Sequence, residues 1–212
     1  KYLVEFQPSS NVGLSLVDAF VLYAMIRCRK PGIMIEVGSG ESTKVALAAL
    51  ARNGEEGHPA DFFAIEPYPG QALKTIVKER FHLLEQNVQN VDIELLRTAD
   101  ILFIDSSHVS KIGSDVNFLM LDVVPQMKPG SFVHWHDILI PSDYWKDWVR
   151  ENRTFWNESY LLHAFMLFNG AFRILWASHY LQLFHREALQ SAFPFFRPDR
   201  HRMTSFWVTN TL

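Results

Sequence analysis

Short apolar runs alternate with amphipathic stretches along most of the chain, and their order predicts the elements. Leu14 to Arg29 is apolar at Val17, Phe20, Val21, Ala24 and Met25, and Pro31-Gly32 follows it. That pattern predicts a helix closed by a stop signal. Ile33 to Val37 predicts a first strand, Gly38-Ser39-Gly40 a tight turn, and Ser42 to Arg52 a helix. After a loop over 53–59 come a strand over 61–66, a turn at Pro67-Tyr68-Pro69-Gly70, a helix over 71–80 and a strand over 82–85. A short helix over 88–96 leads to Ile101–Ile104, which is apolar throughout, as a strand buried on both faces must be. A helix over 112–127 and a fifth strand over 132–136 follow. The rhythm then loosens over 141–155 into a candidate flap, before a helix over 156–168, a strand over 171–177, a helix over 185–192, a loop over 194–201 and a last strand over 205–209. Strands alternating with helices predict an α/β fold with an open parallel sheet and helices on both faces.

Composition narrows the picture. At 212 residues the chain suits one domain, 1–212, with residues 1–11 read as a loose N-terminal arm broken by Pro8-Ser9-Ser10. A net charge of -3 without a basic cluster argues against nucleic acid as a partner. The single Cys28 excludes an internal disulfide and a cysteine-only zinc site, and fits a cytoplasmic location. Neither a membrane-length apolar run nor a signal peptide is visible, so no membrane partner is expected. Aromatic residues make up 14% of the chain, and many follow residue 130. Core packing and contact between two copies in a homodimer are the expectation for most of them.

Chemistry enters at the glycine turn. Two glycines let backbone approach a ligand, and the helix start beyond them offers unpaired N–H groups and a positive dipole end. A dinucleotide fingerprint needs a third glycine where Thr43 stands, and Glu36 would repel a pyrophosphate. A nicotinamide oxidoreductase is therefore disfavoured, the more so without an obvious Tyr-x-x-x-Lys pair. Glu36 suits a ligand with an amino group, and Glu66, ending the second strand, suits the two hydroxyls of a ribose. An amino acid joined to a nucleoside satisfies both carboxylates.

These residues resemble the class I S-adenosylmethionine-dependent methyltransferases. Glu36-Val37-Gly38-Ser39-Gly40 looks like their first motif and Glu66-Pro67 like their acidic second motif. The run from Ala99 to His108, with Lys128-Pro129-Gly130, looks like their fourth- and fifth-strand signatures, and the resemblance covers roughly residues 12–212. One departure is Ser42, where many members carry a third glycine. The resemblance implies a Rossmann-like, doubly wound, mostly parallel seven-stranded sheet with an antiparallel last strand. It implies S-adenosylmethionine as cofactor, held by Glu36, Gly38, Ser39, Gly40, Ser42, Glu66, Asn87 and Asp105.

In open α/β sheets ligands sit beyond the carboxyl ends of the strands, which singles out Asp105, His108, His136 and Asp137 as catalytic candidates. Either histidine qualifies as general base for a hydroxyl. The same cluster supports a divalent metal on Asp105, His136 and Asp137, and a histidine among the ligands suits a transition metal better than magnesium. His134, deeper in its strand, is expected to be a satisfied core histidine. Tyr144, Trp145 and Trp148 are expected either to cover a substrate or to anchor the loop, and Asn157 either to cap a helix or to touch substrate. The expected activity is O-methylation of a small molecule, such as a sugar or glycan precursor. A non-catalytic cofactor-binding module is the rival of a different class.

Overall fold

A computed structural model describes residues 13–76, 78–198 and 200–212 of the chain; the expected N-terminal arm lies outside them. Helix α1 (Leu16–Arg29) is capped by Ser15, whose Oγ accepts from the Asp18 N–H. Strand β1 (Ile33–Val37) and helix α2 (Glu41–Glu55) flank the glycine turn, and β2 (Asp61–Ile65), α3 (Gln71–Lys74) and β3 (Phe81–Leu84) follow. Then come α4 (Ile93–Arg97), β4 (Ile101–Ile104), α5 (Asp115–Asn117) and β5 (Phe132–Trp135). The last part holds α6 (Lys146–Arg150), α7 (Glu158–Met166), β6 (Phe172–Ala177), α8 (Ser178–Phe184), α9 (Arg186–Ala192) and β7 (Phe206–Asn210).

The seven strands form one sheet in the order β3-β2-β1-β4-β5-β7-β6. Pairing is parallel from β3 through β5, and β7 runs antiparallel to both its neighbours. This is the Rossmann-like, mostly parallel sheet with an antiparallel last strand that the sequence implied. Apolar clusters fill both faces, one around Ile35, Leu102, Val133 and Trp135, the other around Met34, Phe62, Phe103 and Trp207. Both faces of the central strands are therefore covered, the reason Ile101–Ile104 contains no polar residue. Among the described residues no helix is long and apolar enough to cross a membrane.

Four helices depart from expectation. The helix expected over 71–80 stops at Lys74, because Gly70 provides no side-chain cap and the β-branched Thr75 and Ile76 come next. The one expected over 88–96 splits into a 3₁₀ turn at Val88–Asn90 and α4, which Asp92 caps by accepting from the Glu94 N–H at 3.0 Å. The segment expected as a helix over 112–127 starts only after Gly113, which sits at φ +72°, and it changes pitch as it runs. It passes from α5 into a π-helix at Phe118–Val123 and a 3₁₀ turn at Val124–Gln126. Pro125 explains this, since it removes one backbone donor and its ring crowds the carbonyl four residues before it. The helix expected over 156–168 is confined to α7, and neither α6, inside the expected flap, nor α8 was foreseen.

The register levels the strand ends. Val37 pairs with Ile65 and with Ile104, and Ile104 pairs with Trp135. Gly38, Glu66, Asp105 and His136, each one residue farther on, therefore lie in a row across the carboxyl edge. Backbone hydrogen bonds continue the ladder into that row, from Gly38 N–H to Ile65 O at 3.0 Å, Asp105 N–H to Val37 O at 2.9 Å, and His136 N–H to Ile104 O at 2.9 Å.

Candidate active site

At the left of this row Gly38 adopts φ +80°, and a Cβ there would stand 1.8 Å from the Asp105 carbonyl oxygen. Only glycine fits, on conformational and steric grounds alike. Glu36 lies beneath the turn, wholly buried, with Oε2 accepting from Thr43 Oγ1 at 2.6 Å. Thr43 Oγ1 in turn accepts from the Gly40 N–H at 3.1 Å, so the residue in the place of a third glycine ties the turn to the strand. Glu36 Oε1 has no hydrogen-bond partner among the described residues. Burial, helped by the charges of Asp105 and Glu66, pushes its carboxyl up to about 8 against the hydrogen bonds from Ser42 and Thr43. Glu66 is oriented by two backbone donors, Ser39 N–H at 3.3 Å and Tyr68 N–H at 2.9 Å.

At the right, five ionisable groups converge. His108, held at φ +57°, points Nδ1 at Glu158 Oε2 (2.8 Å) and Nε2 at both Asp105 Oδ1 (3.3 Å) and Asp137 Oδ2 (3.6 Å). His136 Nδ1 faces Asp137 at 3.4 Å and Asp105 at 3.7 Å, and its Nε2 meets Thr204 Oγ1 at 3.3 Å. Burial alone would lower both imidazoles. The hydrogen bonds of His108 to Asp105 and Glu158, with the charges of Glu158 and Asp137, outweigh it and hold His108 at about 10. The charges of Asp137 and Asp105 likewise hold His136 at about 9. Burial would raise Asp105, but the charge of His136 and the hydrogen bond and charge of His108 bring it to about 2. Glu158 is raised by its own burial, and His108 draws it back down. At neutral pH Asp105 is thus a carboxylate held between two imidazolium groups.

Two cavities of about 400 and 300 Å³ share Gly38, Glu66 and Asp105 as walls. The larger runs past Asn87 and Val88, and the smaller past Ser39, Gly40 and Ser42 to Gly13. Every expected cofactor residue except Glu36 therefore lines this double cavity. Its dimensions and donor set fit an amino acid joined to a nucleoside. The orphaned Glu36 oxygen just beneath the turn adds an unmatched acceptor, as expected near a cationic amino group.

For a metal, Asp105, His108 and Asp137 are the residues whose ligand atoms lie within 4.8 Å of one another among the described residues. His108 completes this group, and the expected His136 lies beside it, with Nδ1 3.4 Å from Asp137 and 3.7 Å from Asp105. Two carboxylates and one imidazole fit a transition-metal ion better than magnesium.

Other expectations divide. His134 stacks on Phe103 with ring centroids 3.9 Å apart and meets Ser205 Oγ at 3.0 Å, while burial first, then the charge of His136, keep its pKa well below normal. It is a core histidine. Tyr144 anchors the loop, its hydroxyl accepting from the Ser159 N–H at 3.1 Å, whereas Trp145 and Trp148 line a cavity. Asn157 neither caps α7 by its side chain nor faces a ligand cavity. It clamps the His108 loop instead, accepting from Ser110 N–H at 2.6 Å and donating to Ser110 O at 3.2 Å. The sequence reading missed Glu158 altogether.

Residues 35–138 match the family described as "Methyltransferase domain". No curated protein matches the sequence. Among solved structures, the chain is similar to a Podospora anserina methyltransferase bound to S-adenosylhomocysteine, at 14% identity and a TM-score of 0.59 over 100% of this chain and 85% of that one. It is also similar to the O-methyltransferase TomG of Streptomyces achromogenes in complex with S-adenosylmethionine, at 12% identity and a TM-score of 0.60 over 95% and 82%. An O-methyltransferase from Bacillus cereus aligns at 9% identity and a TM-score of 0.55 over 100% and 86%. At such identities the likeness speaks to the fold.

Proposed function

From the methyltransferase-family match over residues 35–138 and the Rossmann-like sheet, we propose that the chain is a class I S-adenosylmethionine-dependent methyltransferase that methylates an oxygen of a small molecule, with a sugar or glycan precursor as acceptor. One juxtaposition carries the reading. His108 Nε2 stands between Asp105, a wall of the cofactor cavity, and Asp137, a wall of a separate cavity on the other side. Small-molecule chemistry also agrees with TomG, an O-methyltransferase involved in tomaymycin synthesis.

S-adenosylmethionine, when bound, supplies an electrophilic methyl group on a cationic sulfur. Glu66 would accept from the ribose hydroxyls, the Ser39–Gly40 backbone and Ser42 would hold the amino-acid end, and Asn87 would border the adenine. Glu36 would offer its unpaired Oε1 as an acceptor from below the turn. His108 is the base: with Nδ1–H donated to Glu158, its Nε2 lone pair faces the acceptor hydroxyl and takes its proton. A positive charge beside Asp105 competes for the carboxylates that hold the imidazolium, and so frees Nε2 for this role. His136 stays protonated and offsets the charge of Asp105 and Asp137.

As the alternative to His108 acting as base, a divalent transition metal would be held by Asp105, His108 Nε2 and Asp137, and would supply Lewis acidity toward the acceptor oxygen. The reading also takes the chain as one domain working in the cytoplasm. Pairing of two copies has its support in the edge strand β6, which exposes Ile174 and Leu175.

The test is transfer of labelled methyl from S-adenosylmethionine to a panel of hydroxylated small molecules, with and without a chelator. Transfer to oxygen that disappears in His108→Ala supports the reading. Methylation only of nitrogen or carbon, or full activity in that variant, refutes it. Loss of transfer in the chelator, restored by added metal, assigns the metal.

A further inference from the structure

The cavity beyond Asp137 has a volume of about 320 Å³ and a chemistry unlike that of the cofactor cavity. It touches the cofactor cavity at Gly13, which lines both. Trp145 and Trp148 form one wall, perpendicular to each other with centroids 4.7 Å apart. The aromatic wall continues toward the base, since Trp148 lies 5.1 Å from Trp156 and Trp156 lies 4.4 Å from the His108 ring. Arg200, His201 and Arg202, from the segment before β7, form another wall.

The two arginines are not equivalent. Arg202 bonds Asp147 at 2.7 Å and lies over the Trp145 ring at 4.7 Å, so its charge is matched and its place fixed. Arg200 makes no ion pair among the described residues and lines the cavity, in which Asp137 is the one carboxylate. A planar cationic fork beside an aromatic wall, next to a base, recognises a flat or ring-shaped molecule bearing an oxyanion.

Resting on the methyltransferase reading of the adjoining site, we infer that this cavity takes the acceptor, and that the acceptor is a hydroxylated ring compound carrying a phosphate or carboxylate group. Its ring lies against Trp145 and Trp148, its anion meets Arg200, and its hydroxyl reaches the Asp137 end beside His108. The anion thereby selects against neutral sugars and phenols of the same shape, which offer Arg200 no charge.

Intrinsic tryptophan fluorescence, recorded in saturating S-adenosylhomocysteine, tests the inference with two matched pairs. One pair is 3,4-dihydroxybenzoate and its neutral amide, the other glucose 6-phosphate and glucose. The anionic member of at least one pair is expected to bind about tenfold or more tighter than its neutral twin, as one charge-assisted contact requires. Arg200→Ala abolishes the difference, and Arg200→Lys retains part of it, while affinity for S-adenosylhomocysteine is unchanged in both. Equal binding within both pairs, no binding of either anion at millimolar concentration, or a preference that survives in Arg200→Ala overturns the inference. Failure of S-adenosylhomocysteine to bind the unmodified protein overturns instead the cofactor reading beneath it.

Discussion

Glu158 Oε2 stands 2.8 Å from His108 Nδ1, both side chains are buried, and the partners are 50 residues apart in sequence. The contact is fixed from both sides. The N–H groups of Asn157 and Glu158 donate to the His108 carbonyl at 3.0 and 3.2 Å, and so tie the loop after β4 to the start of α7. This geometry directs Nε2, and only Nε2, toward Asp105 and Asp137.

The pH dependence of turnover follows from that contact. His108 must lose its proton to act as base, so kcat rises with pH. Its midpoint lies below the value of about 10 set in the cofactor-free protein, because the cofactor's positive charge opposes the imidazolium. Glu158→Gln removes a carboxylate that favours the imidazolium, so it moves the midpoint to lower pH while reducing the plateau by roughly 10- to 100-fold through loss of orientation. A pH–rate profile of both proteins decides: a midpoint unmoved or displaced upward in the variant would contradict the arrangement.

Glu36 makes the stability of the cofactor-free protein depend on pH. Its folded value, about 8, lies above the ordinary 4.5. Such a group stabilises the fold fully below 4.5, and that contribution is lost as pH rises through 8. Between pH 6 and pH 9 the native protein should therefore lose roughly 2–3 kcal/mol more than Glu36→Gln, which cannot ionise. Urea unfolding of the two proteins at both pH values measures this, and parallel losses would place the buried charge elsewhere.

The strand ends were legible in the sequence because each is a contiguous signal. An apolar run followed at once by Glu36-Val37-Gly38, by Glu66, by Asp105 or by His136-Asp137 gives both the element and the residue that leaves it. The parallel register then aligns them without further information. Glu158 gave no such signal. It opens a helix in the loosely patterned part of the chain, and only the folding of α7 against the His108 loop reveals its partner. Arg200 is hidden for the same reason, since its cavity is assembled from the residues before α1, Asp137 after β5, the tryptophans at α6 and the approach to β7. The irregular helix after Gly113 was missed because apolar spacing alone does not register the backbone donor that Pro125 removes.

Calorimetric titration of S-adenosylmethionine into the unmodified protein and into Glu66→Ala tests the central claim, that the row from Gly38 to Asp105 is a cofactor site. The account predicts micromolar binding to the first and a loss of about 1.5–3 kcal/mol in the second, the amount set by hydrogen bonds to a charged group. No binding to either protein, or equal binding to both, would contradict it.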